Sequence, residues 1–237
     1  MKPDIRDALL AARAAARPVA LATNLRSGQQ RLIYATESEG DLCLDVDMVA
    51  AAAEALKADR PTTLSTPAGQ VFIQVFNPPP RMIVVGAVHI AEPLAKMGEL
   101  AGYGVTVVDP RRAFAAGQKF EGFTVLGDWP DEAMAKLKPN RRTAIVALTH
   151  DPKIDDPALL VALKSDAFYI GALGSSKTHA KRRDRMLAAG FSEATFQRIR
   201  GPVGLKIGAR SPAEIAVSVL AEVIATLHET EKAKEPA

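Results

Sequence analysis

The sequence predicts an α/β protein in two parts, a doubly wound parallel sheet preceded by a small α+β domain. Three observations point there. Residues 82–170 alternate strand candidates that are apolar throughout with helical patterns, as expected of parallel strands covered by helices on both faces. The proline run Asn77-Pro78-Pro79-Pro80-Arg81 can continue neither a helix nor a central strand and acts as a stiff spacer. The 237 residues suit one domain and a smaller companion, at roughly 150 residues per domain. The expected units are therefore residues 1–77, a small α+β domain, and residues 78–237, a Rossmann-like domain.

The elements follow in chain order. Residues 4–16 form an Ala-rich helical pattern, and short apolar runs follow at Val19 to Ala22, Arg31 to Ala35 and Leu42 to Val46. A second Ala-rich helix from Met48 to Ala58 leads to strand candidates Thr62 to Ser65 and Val71 to Phe76. Beyond the prolines, Met82 to Val85 runs into Gly86 and a helix from Ile90 to Ala101. The strand Val105 to Val108 then ends at Asp109. Thr124 to Leu126, a short helix from Asp131 to Leu137, the strand Thr143 to Leu148, a helix over 157–164 and the strand Ala167 to Ile170 complete the alternation. Two more helices are expected at 175–189 and 211–229, separated by an ordered Gly-rich loop in which Val203, Leu205 and Ile207 call for burial. Residues 230–237 read as a frayed polar tail.

Composition narrows the function classes. With 48% hydrophobic and 24% charged residues the chain can bury a real core, which excludes general disorder. Aromatics at 5% argue against a stacking platform for single-stranded nucleic acid, and a net charge of +3 is not that of a dedicated nucleic-acid binder. A lone cysteine, Cys43, forms no internal disulfide, and its Leu42-Cys43-Leu44 setting reads as a small buried apolar residue. No stretch approaches the ~20 apolar residues of a membrane span, so a cytoplasmic location is expected.

Three constellations could carry chemistry. Gly86-Ala87-Val88-His89-Ile90-Ala91 sits where a strand turns into a helix, the place at which glycines let backbone N–H groups approach a pyrophosphate. Val88 replaces the middle glycine of a dinucleotide fingerprint, and its branched side chain should obstruct that approach. Asp109 follows about 20 residues later, where an acidic group can hold a ribose hydroxyl. Arg111 and Arg112 beside it could grip a phosphate or lie in solvent. Thr149-His150-Asp151 ends an apolar strand and presents three polar side chains at a carboxyl edge; the alternative is that Asp151 caps the turn at Pro152 and His150 packs on it. Gly174-Ser175-Ser176, with Lys177 nearby, starts a helix and is suited to phosphate. The following Lys181-Arg182-Arg183-Asp184-Arg185 reads first as a solvated face, and otherwise as an anion-lined entrance or docking surface. Trp129 reads as a packing contact and His228 as a surface residue.

The succession VVGAVHIAEPLA, VTVVDPRRAF, VALTHDPKIDDPALL, FYIGALGSSKTHAKRRDRMLAAGF and GPVGLKIGARSPAEIAVSVLAEVIA, from about residue 81 to 228, closely resembles the XdhC/CoxI family of accessory proteins for xanthine dehydrogenase and related molybdenum hydroxylases. The resemblance implies a chaperone that binds molybdenum cofactor (molybdopterin) and protects it while a cysteine desulfurase exchanges an oxo for a sulfido ligand. It then hands the cofactor to an apo molybdenum hydroxylase of the xanthine dehydrogenase type, and need catalyse no reaction itself. On this reading Gly174 and Ser175 take the cofactor's phosphate, while Asp109, Arg111 and His150 address its polar edges. Gly86, His89 and Ala91 fit the family's GxGHxA turn and Val88 departs from it. The family's Ser-Gly-Gly-Cys segment has only Glu39-Gly40-Asp41-Leu42-Cys43 as counterpart here. The rival expectation is an NAD(P)-dependent oxidoreductase with Asp109 on the ribose and His150 as acid or base, or a nucleotide-binding regulatory protein on the same fold. A unit of about 77 residues is expected to gain burial by packing on its neighbour or on a second subunit, so a homodimer is one expectation.

Overall fold

The structure, a computed structural model, describes residues 1–111 and 120–232; Arg112 and the end of the polar tail from 233 lie outside the described residues. The chain separates into two compact units, Met1–Pro78 and Pro79–Ala237.

The first unit is an antiparallel sheet with a helix on each face. Its strands are β1 (Val19–Asn24), β2 (Gln30–Ile33), β3 (Ser38–Gly40), β4 (Thr62–Thr66) and β5 (Gly69–Phe76), in the order β3-β2-β1-β5-β4. Alternation along β1 sends Val19 and Leu21 toward α1 (Pro3–Ala14), where Ile5, Leu9 and Ala12 recur at helical spacing. Ala20 and Ala22 face α2 (Val46–Ala58) with Met48 and Ala52. The run Leu42 to Val46 is not a strand. Asp45 caps α2 instead, accepting a hydrogen bond from the Met48 amide at 2.7 Å, so its apolar neighbours serve the helix entry. Cys43 is exposed, against the expectation of burial: Leu42 turns inward next to it and the chain turns the thiol out.

The second unit is a six-stranded, wholly parallel sheet: β6 (Arg81–Val85), β7 (Gly104–Val108), β8 (Thr124–Leu126), β9 (Thr143–Ala147), β10 (Tyr169–Ala172) and β11 (Ile199–Arg200). The order β11-β10-β9-β6-β7-β8 means the chain starts in the middle, builds one half outward, then returns to build the other. This is the Rossmann winding, with its switch point between β6 and β9. The helices are α3 (Ala91–Leu100), α4 (Pro130–Leu137), α5 (Pro152–Lys164), α6 (Ser176–Ala188), the short α7 (Glu193–Phe196) and α8 (Pro212–Lys232). Every residue of β9 is buried, with Ile145 and Ala147 in the core cluster on one face and Ala144 and Val146 in that on the other. Burial on both faces is why the strand is apolar throughout.

Some local expectations shift. The strand expected at 167–170 forms at Tyr169–Ala172, because Gly171 continues the ladder with β9 in a place where a Cβ would meet the Tyr169 hydroxyl at 2.7 Å. In the Gly-rich loop only Val203 is buried; Leu205 and Ile207 are 41% and 55% exposed. The loop is fixed by hydrogen bonds instead: Glu222 Oε2 accepts from the Tyr169 hydroxyl at 2.5 Å and from the Gly204 amide at 2.8 Å. Trp129, expected to pack, is 51% exposed; the adjacent Pro130, at the start of α4, is the buried partner of that pair.

Candidate functional site

Three strand-to-helix turns meet at the carboxyl edge of the parallel sheet. Two of them, after β6 and β9, flank the switch point where open α/β sheets leave a crevice. Gly86 closes β6 with φ +106°, and a Cβ there would overlap the Thr149 methyl group, so the first two turns touch through a missing side chain. Gly174, with φ +142° after β10, would place a Cβ 3.6 Å from His150 Nδ1. Gly86 is therefore what lets the turn bearing Thr149 sit beside β6, while the missing Cβ of Gly174 makes room for Thr178 of α6, whose methyl group a Cβ would meet at 2.9 Å.

The β6–α3 turn is closed by the protein itself. Asp109, at the end of β7, is fully buried; its Oδ2 accepts from the Ala87 amide at 2.7 Å and from Arg111 Nη2 at 2.8 Å. Its Oδ1 accepts from the Arg111 amide at 2.9 Å and from Arg111 Nε at 3.0 Å. Burial pushes this carboxyl up, but the hydrogen bonds from Arg111 and from the Ala87 and Arg111 amides outweigh it and hold Asp109 below the usual carboxylate range. The expectation that Asp109 binds a ribose hydroxyl is corrected accordingly: a fully buried carboxylate with four internal donors ties β7 to the turn and offers nothing to a ribose. Arg111 is the partner of that carboxylate, while Arg112 lies outside the described residues. Val88 packs half-buried against the core, and His89 is exposed.

The β9–α5 turn is organised by a residue that sequence reasoning missed. Asp155, 2% exposed in the first turn of α5, accepts from the Thr149 hydroxyl at 2.6 Å, the Thr149 amide at 3.2 Å and the His150 amide at 3.1 Å. These bonds hold His150 in the left-handed region, φ +62°, with its ring exposed at the crevice. Asp151 is the N-cap of α5 and accepts from the Lys153 amide at 2.9 Å, as the capping alternative expected. Burial raises the Asp155 carboxyl above the ordinary range despite those donors. Arg182 Nη2 lies 3.8 Å from Asp155 Oδ2, and burial lowers the Arg182 guanidinium.

Around the third turn, Ser175 caps α6 by accepting from the Thr178 amide at 3.2 Å, and Ser176 opens the helix, exposed. The basic run that follows is not one solvated face. Arg182 is 1% exposed and donates to the Leu173 carbonyl at 2.9 Å. Arg185 pairs bidentately with Asp156, and Arg183 pairs with Glu193. The signal available in the sequence was spacing: Arg182 stands four residues before the apolar Met186, which puts both on one face of α6, the face that is buried.

Among the described residues no group of three or more His, Cys, Asp or Glu is arranged to hold a metal ion, and no helix is long and apolar enough to cross a membrane. The carboxyl edge presents the exposed His150, the N-terminus of α6 and the exposed Lys177 and Lys181.

Comparison with known proteins agrees with the Rossmann winding. The chain is 35% identical over 157 residues to a Bacillus subtilis protein named as a probable xanthine dehydrogenase component, covering 66% of this chain and 46% of that protein. It is 31% identical over 157 residues to the molybdenum cofactor insertion chaperone PaoD of Escherichia coli, covering 66% and 43%. The chain thus spans less than half the length of these curated relatives. A crystal structure described as a xanthine dehydrogenase from Bacillus halodurans superposes with a TM-score of 0.72 at 22% identity, over 99% of this chain and 68% of that one, a likeness of fold. The family model described as the XdhC Rossmann domain matches residues 82–223, from the second residue of β6 into α8, and the chain accordingly belongs to the XdhC family.

Proposed function

We propose that this chain is a molybdenum cofactor chaperone. It receives the cofactor in the crevice lined by Gly86, Thr149, His150 and Gly174 and delivers it to an apo molybdenum hydroxylase of the xanthine dehydrogenase type. The observation that carries the reading is the junction of the three turns at the switch point, with His150 Nδ1 within van der Waals reach of the Gly174 position. An exposed imidazole held by backbone bonds to Asp155 can donate to or accept from a polar pterin edge. The N-terminus of α6 presents its positive end to the cofactor's phosphate. In support stands a relative whose name is that of a molybdenum cofactor insertion chaperone.

On this proposal the chain's residues bind and shield, and the hydroxylase supplies the reaction. A cysteine desulfurase partner sulfurates the held cofactor; Cys43 of the first unit is exposed and accessible to it. The nicotinamide alternative has lost its ribose anchor, since Asp109 is committed to Ala87 and Arg111.

The test is retention of the pterin. Purified protein should carry or take up molybdopterin, read after oxidation as a fluorescent pterin, and should activate an apo-hydroxylase. Ser175→Asp puts a carboxylate where the phosphate is expected and should weaken uptake about tenfold by like-charge repulsion. No pterin uptake together with micromolar NAD(H) binding would overturn the proposal. Alanine at Cys43 that leaves sulfuration intact removes that thiol from the pathway.

A further inference from the structure

A concavity of about 240 Å³ lies between the β9–α5 turn and the face of α6 that carries Arg182. Its walls include His150, Lys177, Thr178, Lys181, Arg182 and Arg185. The volume is that of about eight water molecules, and below the ~300 Å³ at which sites for whole drug-sized ligands begin. It suits a head group.

We infer that this cleft is a binding site for a phosphate monoester dianion, and three observations from different levels of the structure meet there. The first is charge. Lys177, Lys181, Arg182 and Arg185 face Asp155 and Asp156, so four cations stand against two carboxylates. Asp156 is taken by Arg185, through contacts of 2.5 and 3.0 Å, and Asp155 by Thr149 and His150. Lys177 and Lys181 are exposed, and neither makes an ion pair with a described residue.

The second is an unmet donor. Arg182 is 99% buried and lines the cleft, yet its Nε has no hydrogen-bond partner, while Nη2 donates to Leu173 and Nη1 lies 3.4 Å from His179 Nδ1. A buried guanidinium whose Nε–H has no acceptor is costly to the fold, and an anion drawn into the cleft that this side chain lines would offset part of that cost. The third is local conflict. The first turn of α6 has no acidic residue and carries Lys177, so a cation stands at the positive end of the helix dipole, a conflict that an anion in the cleft would relieve.

Only a phosphate is needed for this site; that the phosphate is the one carried by the cofactor rests on the chaperone reading above. Inorganic phosphate, titrated into the full chain and followed by ³¹P chemical shift against a chloride background of constant ionic strength, tests it directly. Saturable binding should weaken about tenfold or more in the exposed double variant Lys177→Ala/Lys181→Ala. It should stay within about twofold in Lys57→Ala/Lys136→Ala, which removes equal charge elsewhere. Arg182→Lys keeps the charge but loses the Nε donor and should also weaken binding, with a circular-dichroism melt confirming that it folds. Absence of saturable binding, or equal losses in both double variants, would overturn the site. Pterin uptake is scored separately, so the chaperone reading can fail while the phosphate site stands, and the reverse. Loss of the phosphate titration in pterin-loaded protein assigns the phosphate to the cofactor; an unchanged titration assigns it to a second molecule, with the site retained in both.

Discussion

Two turns of one parallel sheet, after β6 and after β10, have the same backbone task and opposite chemistry. Both carry a glycine at positive φ, Gly86 and Gly174, and both lead into a helix. After β6 the amide of Ala87 is taken by Asp109, whose charge is in turn taken by Arg111, so an internal carboxylate stands where a dinucleotide fold would admit an external phosphate. After β10 no acidic residue enters the first turn of α6, which carries Lys177, with Lys181 one turn on. One sheet thus holds a turn whose Ala87 amide is taken by an internal carboxylate and another at which an external anion is proposed. The winding is shared by many nucleotide-binding proteins, but which turn is open decides what the edge can recognise.

This contrast can be broken by substitution, most strongly at the closed turn. Gly86→Ala puts a methyl group into the Thr149 side chain at φ +106°, and should destabilise the second unit by about 3 kcal/mol or more. Unfolding in urea, followed by the lone tryptophan Trp129 in that unit, would show a much lower midpoint or no folded protein; near wild-type stability would mean that the two turns are not in contact. Asp109→Ala leaves the buried Ala87 amide without its acceptor and removes the tie from β7 to the turn, and should cost about 2 kcal/mol in the same measurement. Smaller still, Ser175→Ala at the open turn removes one N-cap and should cost about 1 kcal/mol. If Asp109→Ala proved as mild as Ser175→Ala, the closed turn would not be closed by that carboxylate.

Acid pH sharpens the same comparison, since the two buried carboxyls titrate with opposite sign. Asp109 has a folded pKa held below the ordinary value near 3.9, so its contribution is complete above pH ~4 and is lost as pH falls through the lower folded value. The stability difference between wild type and Asp109→Asn should therefore shrink below pH ~4. Asp155 has a raised folded pKa, so its contribution is present at low pH and is lost as pH rises through that value. Wild type measured against Asp155→Asn should lose ground as pH rises from ~4. The smallest effect is expected at Arg183→Gln: its pair with Glu193 is exposed on both sides, and the urea midpoint should stay close to that of wild type.

Much of the architecture could be read in the residues alone. The apolar runs at Met82 to Val85 and Thr143 to Leu148 declare central strands because burial on both faces leaves no polar position, and the prolines at 78–80 stop every regular element. Less local features were hidden. Leu42 to Val46 looks like a strand, yet Asp45 had a helix to cap. Lys181 to Arg185 looks like one solvated surface, yet Arg182 is buried under its neighbours because the Leu173 carbonyl and Asp155 come to it from two other elements.

The sequence by itself determined the order of strands and helices, the glycines that permit the turns, and the XdhC family pattern, since all of these are written in periodicity and in residues adjacent along the chain. Tertiary structure alone decided which carboxylate closes which turn, that Asp155 and not Asp151 supports His150, and that an arginine within a charged run is buried with a free Nε. The physical reason is that periodicity reports the direction a side chain faces, whereas hydrogen-bond satisfaction depends on partners brought within about 3 Å from distant parts of the chain.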